Sequence, residues 1–517
     1  MEPNSTMSLL VIHRAKLPFK NMCSDKLWSV LICQGEILSV EPTPFLEVSK
    51  AQTLDLAGKS LIPGFIDSHV HLIPFGLKDS LDLTNMRSID DCLKELGNLS
   101  KKISGDNEWL VGYNWDNSKW TDDRYITRHD IDRIEMDRPV VLKRICSHIW
   151  TLNTEAMKRV ALPSNHASIH RDEFGNPTGI LFDSGHPFVA TFIPTTKNET
   201  IKAATKAMNF ALKQGVTTIC DFSPNLTIYK DLAANQPLPI RILCGVKPQE
   251  FWKISKKPLS FNLKQHRLSV NSLKVLTDGS IGARTAKLRR PYTDDPFNGG
   301  ALQRDSKGLD TLIERAEEVG WQVCVHAIGD AAIDVCIEAF REIGARNLSA
   351  IQKRPKRHRI EHAEMVLPSH IGWMRKLGLV ASMQPNFVGQ WQQSGGMYSK
   401  ALGKSRANGM NAFKSILKAG VPLAFGSDGI PLSPLYGIAS AMNHPDSNER
   451  LTFKEALHAY TQGSAYACRI EDQLGMIEPG MLADLVVLNR DPTNLPPDEV
   501  AEISIDSVFV DGKLANY

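Results

Sequence analysis

Short apolar runs alternate with amphipathic helical stretches along much of the chain. Apolar runs of strand length alternating with helices predict a parallel sheet that is covered on both faces. With "LIPGFIDSHVH" as an early strand, the number of repeats favours a closed (β/α)8 barrel, also called a TIM barrel. An open doubly wound sheet is the alternative, but no G-x-G-x-x-G motif follows the first strand. The predicted helices lie near 199–213, 308–319, 330–344, 368–377 and 409–418.

Three regions depart from this alternation. Residues 1–59 contain "WSVLICQGEILSVEP", which predicts a hairpin around Gln34-Gly35, and residues 474–517 contain further strand-like runs with turn residues. We therefore expect both ends of the chain to be rich in strands and to pair into one small sheet domain. Residues 60–473 form the predicted barrel, and about 73–195, rich in Trp, Asp and Arg, read as an insertion after its first strand.

Composition narrows the class of protein. The 517 residues are 42% hydrophobic and 23% charged, as in soluble globular proteins. The formal charge of +3 argues against a nucleic-acid-binding surface. No stretch reaches the roughly 18 apolar residues of a membrane helix, and the N-terminus lacks the pattern of a secretory signal. The nine cysteines form no C-x-x-C pair, which predicts free thiols and a cytoplasmic location.

Polar, metal-ligating residues stand at the ends of several predicted strands. His69 and His71 end the first one, and residues i and i+2 of a strand point to the same side. His326, His362 and Asp428 end later strands in the same way. Active-site residues gather at the carboxyl ends of barrel strands, and neutral imidazole is the commonest metal ligand. Two histidines alone could be ordinary, but the whole set indicates a metal site.

Lys274 lies inside an apolar strand, "SLKVL". An unpaired ammonium is costly there, and burial lowers the pKa of a lysine. A snorkelling or salt-bridged lysine is one interpretation. The other is a neutral amine that captures carbon dioxide as a carbamate, an anion able to bridge two metal ions. Two divalent ions with a carbamate, Asp428 and a hydroxide would leave about +1 of net charge, enough to polarise a carbonyl.

Six segments together resemble the amidohydrolase superfamily: "PGFIDSHVHL", "LKVLTDGSIGARTA", "VHAIGDAA", "RIEHAE", "GSDGIP" and "GMIEPGMLADLVVLNRDP". Within it, they are most similar to the YtcJ-like branch, amidohydrolase family 3, which includes N-substituted formamide deformylases. The resemblance implies a distorted (β/α)8 barrel with a β-sandwich built from both chain ends. The loop "GIPLSPLYG" after Asp428 departs from the "SD-PV" wording of many members, so the resemblance does not define the pocket there.

The resemblance also implies roles for the strand-end residues. It implies one or two divalent metal ions, with zinc as the expected metal, and a hydrolase of non-peptide C–N bonds (EC 3.5) that attacks an amide through a metal-bound hydroxide. His69 and His71 would bind one ion, and His326 and His362 the second. Lys274, carboxylated on its amine, would bridge them, and Asp428 would bind metal and act as general base. A homodimer follows by analogy only.

Two further residues are candidates for substrate binding. His148 in "CSHIW" would stabilise the developing oxyanion, although a structural histidine fits the sequence as well. Arg284 in "GARTA" would meet an anionic substrate group, or else form an ion pair. Trp115, Trp120 and Trp150 suggest an apolar or aromatic substrate group, although tryptophans are usually found in cores.

Two other functions stay open at this stage. A deaminase-like hydrolase of a ring amidine would need a glutamate after the strand-five histidine, and "HAIGDAA" has none, although Glu361 and Glu364 flank His362. A non-catalytic scaffold or signalling protein would be marked by lost ligands, and all six candidate positions are present. The leading expectation is an enzyme acting on a small-molecule amide, without nucleic-acid or membrane partners.

Overall fold

Eight parallel strands form the centre of the fold and confirm the predicted α/β barrel. The computed structural model describes residues 9–516, except 20–25, 45–47, 78–80, 103–108, 123, 136, 161–165, 186–188, 194, 255–257, 261–266 and 347–355. The barrel strands are β6 (Phe65–Val70), β12 (Val216–Asp221), β13 (Arg241–Val246), β15 (Leu268–Leu276), β16 (Gln322–Ala327), β17 (Arg359–His362), β18 (Val380–Met383) and β19 (Leu423–Phe425). They follow the chain in spatial order, and β14 (Leu259–Ser260) pairs antiparallel with β15.

The first and last barrel strands meet without a regular ladder between them. The Asp428 N–H donates to the His69 carbonyl at 2.8 Å. Asp67 accepts hydrogen bonds from the Ser427 N–H and hydroxyl at 3.0 and 2.5 Å. A Cβ at Gly426 would lie 2.4 Å from the His69 nitrogen, so only glycine allows this close approach. The barrel is therefore closed beside residues that the sequence marks for chemistry.

Helices cover the outside of the barrel. The helix Lys197–Lys213 begins at a capping box, in which Thr196 and Glu199 exchange hydrogen bonds. The predicted helix at 409–418 is wrong in its first turn, because Asn411 adopts a left-handed backbone (φ 55°) and the helix begins at Phe413. The remaining helices from residue 226 onward are Leu226–Asn235, Pro248–Ile254, Ser306–Glu318, Asp330–Arg346, Pro368–Leu377, Pro385–Phe387, Val388–Gln392 (a π-turn), Met397–Leu402, Lys404–Asn408, Pro434–Met442, Phe453–Tyr460, Gln462–Ala467 and Pro497–Ala501.

The chain ends form two small sheets that pack on each other. Their strands are β1 (Leu9–Ala15), β2 (Trp28–Cys33), β3 (Glu36–Pro42), β4 (Gln52–Asp55), β5 (Ser60–Pro63), β20 (Leu485–Leu488), β21 (Ile505–Val510) and β22 (Lys513–Leu514). One sheet has the order β3-β2-β1-β4 and the other β22-β21-β20-β5, so the second joins an N-terminal strand to C-terminal ones. Apolar side chains of both sheets share one core. This agrees with the predicted hairpin and β-sandwich.

A separate five-stranded sheet lies between β6 and β12 in the sequence, which confirms the predicted insertion. Its strands are β7 (Leu110–Trp115), β8 (Val140–Arg144), β9 (Ile149–Leu152), β10 (Ile169–Arg171) and β11 (Pro177–Phe182), with helices Leu72–Gly76, Ile89–Ser100, Asn117–Lys119, Arg128–Asp132, Thr154–Val160 and Asp183–Gly185. Its order is β10-β11-β9-β8-β7. Trp115 and Trp120 lie in its own apolar core.

Two expectations from composition concern cysteines and membranes. Cys23 lies outside the described residues, and the other eight cysteines are free thiols, as predicted. Throughout the described ranges, every helix is too short or too polar to cross a bilayer.

A buried ion-pair network joins the barrel to the C-terminal sheet. Arg241 of β13 is fully buried and donates to both carboxylate oxygens of Asp484, at 2.8 and 2.9 Å, and to Asp511. We expect Asp484→Ala to lower the free energy of unfolding by about 3–5 kcal/mol, because it leaves part of a buried charge unpaired. Urea-induced unfolding of both proteins measures this loss.

The control for this prediction is Asp55→Ala, which removes the partner of Arg14 in a half-exposed ion pair. An exposed pair contributes less than about 1 kcal/mol, so this variant should unfold close to the wild type. Equal losses in the two variants would contradict the prediction.

Candidate metal centre

His69 is held by a buried network at the carboxyl end of β6. Its Nδ1 lies 2.6 Å from Glu361 Oε2, and Arg359 donates to both oxygens of the same carboxylate at 2.6 and 3.0 Å. All three side chains are fully buried. Since a carboxylate accepts hydrogen bonds, Nδ1 of His69 is the protonated nitrogen, and Nε2 keeps a lone pair for a metal ion.

His71 and Asp428 lie beside His69. One ligand atom from each of these three residues lies within 4.8 Å of the other two. The Nε2 of His71 is 3.4 Å from Asp428 Oδ1, and its Nδ1 is hydrogen-bonded to Ser223 Oγ at 2.7 Å. Asp428 adopts a left-handed backbone (φ 54°), a conformation that clusters at functional sites in residues other than glycine. The structure therefore brings together three of the six predicted ligands in one group.

Lys274 approaches this group from β15. Its Nζ lies 3.3 Å from His69 Nε2 and 4.6 Å from the centre of the Phe222 ring. Burial lowers the pKa of Lys274, against the opposing charges of Glu361 and Asp428. The amine is therefore placed next to the metal-facing nitrogen of His69, and its environment favours the neutral form that carbamate formation requires.

His326 and His362 form a neighbouring pair outside the three-residue group. Their ring centres are 4.4 Å apart, and the His362 ring is 4.7 Å from that of His69. His326 Nε2 lies 3.0 Å from the Gly279 carbonyl, so Nε2 carries the proton and Nδ1 keeps its lone pair. Nδ1 of His362 is buried and has no hydrogen-bond partner among the described residues. The structure places the pair where a second ion, or a shared one, could be bound.

The donor set fits a divalent transition metal. Burial lowers the pKa of His69, His326 and His362 well below the usual value, and neighbouring positive groups lower it further, so the imidazoles are neutral. Neutral imidazoles and carboxylates are among the side chains that bind zinc in proteins. A hydrogen-bonded carboxylate behind a ligand histidine, as Glu361 is behind His69, is the usual support for such a ligand.

A pocket opens beside this group and is lined by three of the predicted ligands, His326, His362 and Asp428. The imidazole and carboxyl side chains that line it are those of His148, His326, His362, Glu364 and Asp428. Burial raises the pKa of Glu364 to about 8. The rest of the wall is largely apolar: Cys146, Ser280, Ile281, Gly282, Ile328, Phe387, Trp391, Met397, Tyr398 and Ile430.

His148 reaches the pocket from the insertion. Its Nδ1 is hydrogen-bonded to Asp183, and its ring centre is 5.7 Å from that of His326. Burial alone would lower the pKa of His148, but the charge and hydrogen bond of Asp183 outweigh burial and raise it to about 9. His148 is therefore a cation at neutral pH, and it lies where the sequence analysis expected an oxyanion-stabilising group.

The other residues considered for substrate binding lie elsewhere. Arg284 donates to Asp294 at 3.0 Å and to the Ile281 carbonyl at 2.8 Å, and it does not line the pocket. Trp115 and Trp120 belong to the core of the insertion. Trp150 likewise packs within the insertion. The suggestion that these three tryptophans shape the pocket is thus wrong, because none of them lines it and the insertion buries Trp115 and Trp120 in its own core.

Sequence reasoning missed several residues of the pocket. Trp391 follows β18 in a π-turn that no motif marks, and Tyr398 lies on a short helix after it. Asp183 does not line the pocket but holds His148; it follows β11 and carries no motif of its own. Glu364 does have a signal in the sequence, because it comes two residues after a strand-end histidine, but that signal suggests only an acid for ring-amidine chemistry.

Comparison with known proteins identifies relatives of this chain. A model of the amidohydrolase family matches residues 52–515. The YtcJ protein of Bacillus subtilis (strain 168), a putative amidohydrolase by name, is 31% identical over 90% of this chain and 90% of its own length. The N-substituted formamide deformylase of Arthrobacter pascens is 24% identical over 96% of this chain and 95% of its own.

Among solved structures, an uncharacterised metal-dependent hydrolase from Pyrococcus horikoshii OT3 is similar, with a TM-score of 0.75 and 26% identity. The match covers 95% of this chain and 99% of that one. The barrel, the terminal sheets and the predicted ligands at the strand ends agree with these similarities. We conclude that the chain belongs to amidohydrolase family 3, a family of metal-dependent hydrolases.

Proposed function

We propose that this protein hydrolyses the C–N bond of an N-substituted formamide or a related small amide, with zinc as its metal. The observation that carries the proposal is the group of His69, His71 and Asp428, with their ligand atoms within 4.8 Å and Lys274 3.3 Å from His69. Asp428 of this group, together with His326 and His362, lines a pocket of mostly apolar walls, which suits the substituent of such an amide. The similarity to a formamide deformylase supports the choice of bond.

The metal would be held by the side chains already described. His69, His71 and Asp428 supply one position, and His326 and His362 supply the other. Lys274 would join the two through a carbamate, formed when its neutral amine adds to carbon dioxide and releases a proton. When bound, the metal lowers the pKa of water to about 7 and polarises the scissile carbonyl.

Asp428 is the proposed general base. Its carboxylate would take a proton from the attacking water and pass it to the nitrogen of the leaving amine. The bond from its N–H to the His69 carbonyl fixes the backbone from which the side chain projects. His148 is the proposed oxyanion partner, because a cation in a water-poor pocket stabilises the negative charge that develops on the carbonyl oxygen.

The ring-amidine alternative draws less support from the glutamates beside His362. Glu361 has both carboxylate oxygens engaged by Arg359 and one of them also by His69, so it is held as a support for the ligand. Glu364 alone of the two faces the pocket. The ring-amidine alternative therefore rests on Glu364 alone, and the similarity to a formamide deformylase favours amide hydrolysis.

The experiment that tests this function measures metal content and hydrolysis together. We expect the gently purified protein to hold one or two zinc ions per chain and to release formate from N-benzylformamide. Chelation should remove this activity by at least about 10³-fold, because the metal supplies several kcal/mol of stabilisation. Added zinc should restore it.

Three outcomes separate the alternatives. Absence of stoichiometric metal would favour a non-catalytic scaffold. Metal-dependent release of ammonia from ring amidines, with no amide hydrolysed, would favour deamination. Hydrolysis that survives complete removal of metal would contradict the proposed mechanism.

A further inference from the structure

Glu364 is the buried pocket group to which the proposed mechanism gives no task. Its side chain is 2% exposed, and its Oε2 has no hydrogen-bond partner in the part of the chain that the structure describes. It follows β17 by two residues and lines the same pocket as Asp428 and His148. A buried carboxyl oxygen without a hydrogen-bond partner destabilises the folded protein. Its presence in a ligand pocket therefore indicates that the bound ligand supplies the hydrogen-bond donor.

The surroundings of Glu364 define what kind of group that partner is. Phe387, Trp391 and Tyr398 form an aromatic wall, with ring centres 4.9 Å apart for the first two and 6.1 Å apart for the last two. Phe387 stacks on His362 at an interplanar angle of 8°, so the wall begins at a predicted metal ligand. The Trp391 N–H already donates to Asp116 at 3.2 Å and is not available to a ligand.

Tyr398 of the wall is hydrogen-bonded to the Glu364 carboxyl, so the wall offers a ligand a flat apolar contact and leaves Oε2 of Glu364 to make the directional contact. Aromatic rings beside a carboxyl group are also the usual surroundings of a bound ammonium, through cation–π attraction. An ammonium beside Glu364 would donate a hydrogen bond to its Oε2. A neutral amide N–H can make the same hydrogen bond without charge.

We propose that Glu364 is a specificity-determining residue, which accepts a hydrogen bond from an N–H donor on the apolar substituent of the substrate. The inference rests on the proposed function for the identity of the scissile bond. It names the class of substrate: an amide whose flat, apolar substituent carries a second nitrogen with a hydrogen to donate. A charged amine and a neutral amide share this chemistry.

Binding of small aromatic probes to the zinc-loaded protein tests the proposal without turnover. The probes are 4-methylbenzylamine, 4-methylbenzamide and 4-methylbenzyl methyl ether, which share the ring but carry a charged donor, a neutral donor and no donor. Calorimetry should show both donors binding at least about tenfold more tightly than the ether, as expected for one buried hydrogen bond. An ether that binds as tightly as the donors would overturn the proposal.

Two variants assign the preference to Glu364. Glu364→Leu should abolish it, whereas Glu364→Gln, which keeps an acceptor oxygen, should weaken binding of the amine about tenfold and of the benzamide much less. Met397→Leu alters the same pocket without touching its acceptors and should keep the preference. A preference that survives in Glu364→Leu would overturn the proposal. If that variant does not fold, unchanged amine affinity in Glu364→Gln would do so.

The hydrolysis assay separates this proposal from the proposed function. If the protein prefers the donor probes and loses this preference in Glu364→Leu, but hydrolyses no amide, the binding role of Glu364 is supported and the proposed reaction is wrong. If the protein hydrolyses amides but binds all three probes equally well, the proposed reaction is supported and the proposed role of Glu364 is wrong.

Discussion

Asp428→Asn is expected to lower kcat for amide hydrolysis by about 10³- to 10⁴-fold, near the upper end of what general acid–base catalysis contributes. The amide keeps the size of the carboxylate and the backbone bond to His69, but it cannot take a proton at neutral pH. Asp428 is the one carboxylate of the His69–His71 group. Steady-state kinetics, with the zinc content measured on the same sample, checks the effect.

A matched control is Asp221→Asn. Asp221 is also a buried aspartate at the end of a barrel strand, but it accepts hydrogen bonds from the Tyr229 hydroxyl at 2.6 Å and from two backbone N–H groups. It does not line the pocket. This variant should lose stability and keep kcat close to the wild type. A near-normal kcat in Asp428→Asn, with zinc retained, would remove Asp428 from the proton transfer.

Lys274→Ala is expected to cost about 10³-fold or more in kcat and to lower the zinc content. The proposed carbamate ligand would be lost with the side chain, and a bound metal contributes several kcal/mol of stabilisation, of which each loss of about 1.4 kcal/mol slows the reaction tenfold. Lys274 is 3% exposed and contacts His69 directly, so its replacement acts on the candidate metal centre. Kinetics and metal analysis on the same preparation give both quantities.

Chemical rescue identifies which form of the lysine acts. If the carbamate is the active form, acetate or propionate should restore part of the activity of Lys274→Ala, because a short carboxylate supplies two anionic oxygens to the space left by the side chain. Ethylamine should not. Rescue by the amine alone would show that Lys274 acts as an amine, and the bridging role would be withdrawn.

The barrel could be predicted from sequence because its evidence is local and repeated. Each strand is a short apolar run followed by a helix, and the cost of burying Lys274 or the strand-end histidines made those positions visible without a structure. The first turn of the helix predicted at 409–418 failed for an equally local reason, the left-handed backbone of Asn411. Such a conformation leaves no trace in hydrophobic periodicity.

The supports of the site could not be predicted because they join distant parts of the chain. Glu361 lies one residue before a predicted ligand, yet its partner is His69, almost 300 positions earlier. Asp183 holds His148 from the short helix after β11, 35 positions further along the chain. The pocket wall is likewise assembled by packing, since Trp391 faces the pocket whereas Trp115 fills a core. Nothing in the local sequence distinguishes these two tryptophans.

A metal ion bound by His69, His71 and Asp428 would also stabilise the fold, because these residues lie at the junction between the first and last barrel strands. His69 and His71 come from one side of that junction and Asp428 from the other, where the strands are joined by a few hydrogen bonds around Asp67 and Gly426. An ion bound by all three side chains would cross-link the two strands and reinforce the closure that these hydrogen bonds make. Because a ligand of the folded state stabilises it by mass action, metal loading and resistance to unfolding become one coupled equilibrium.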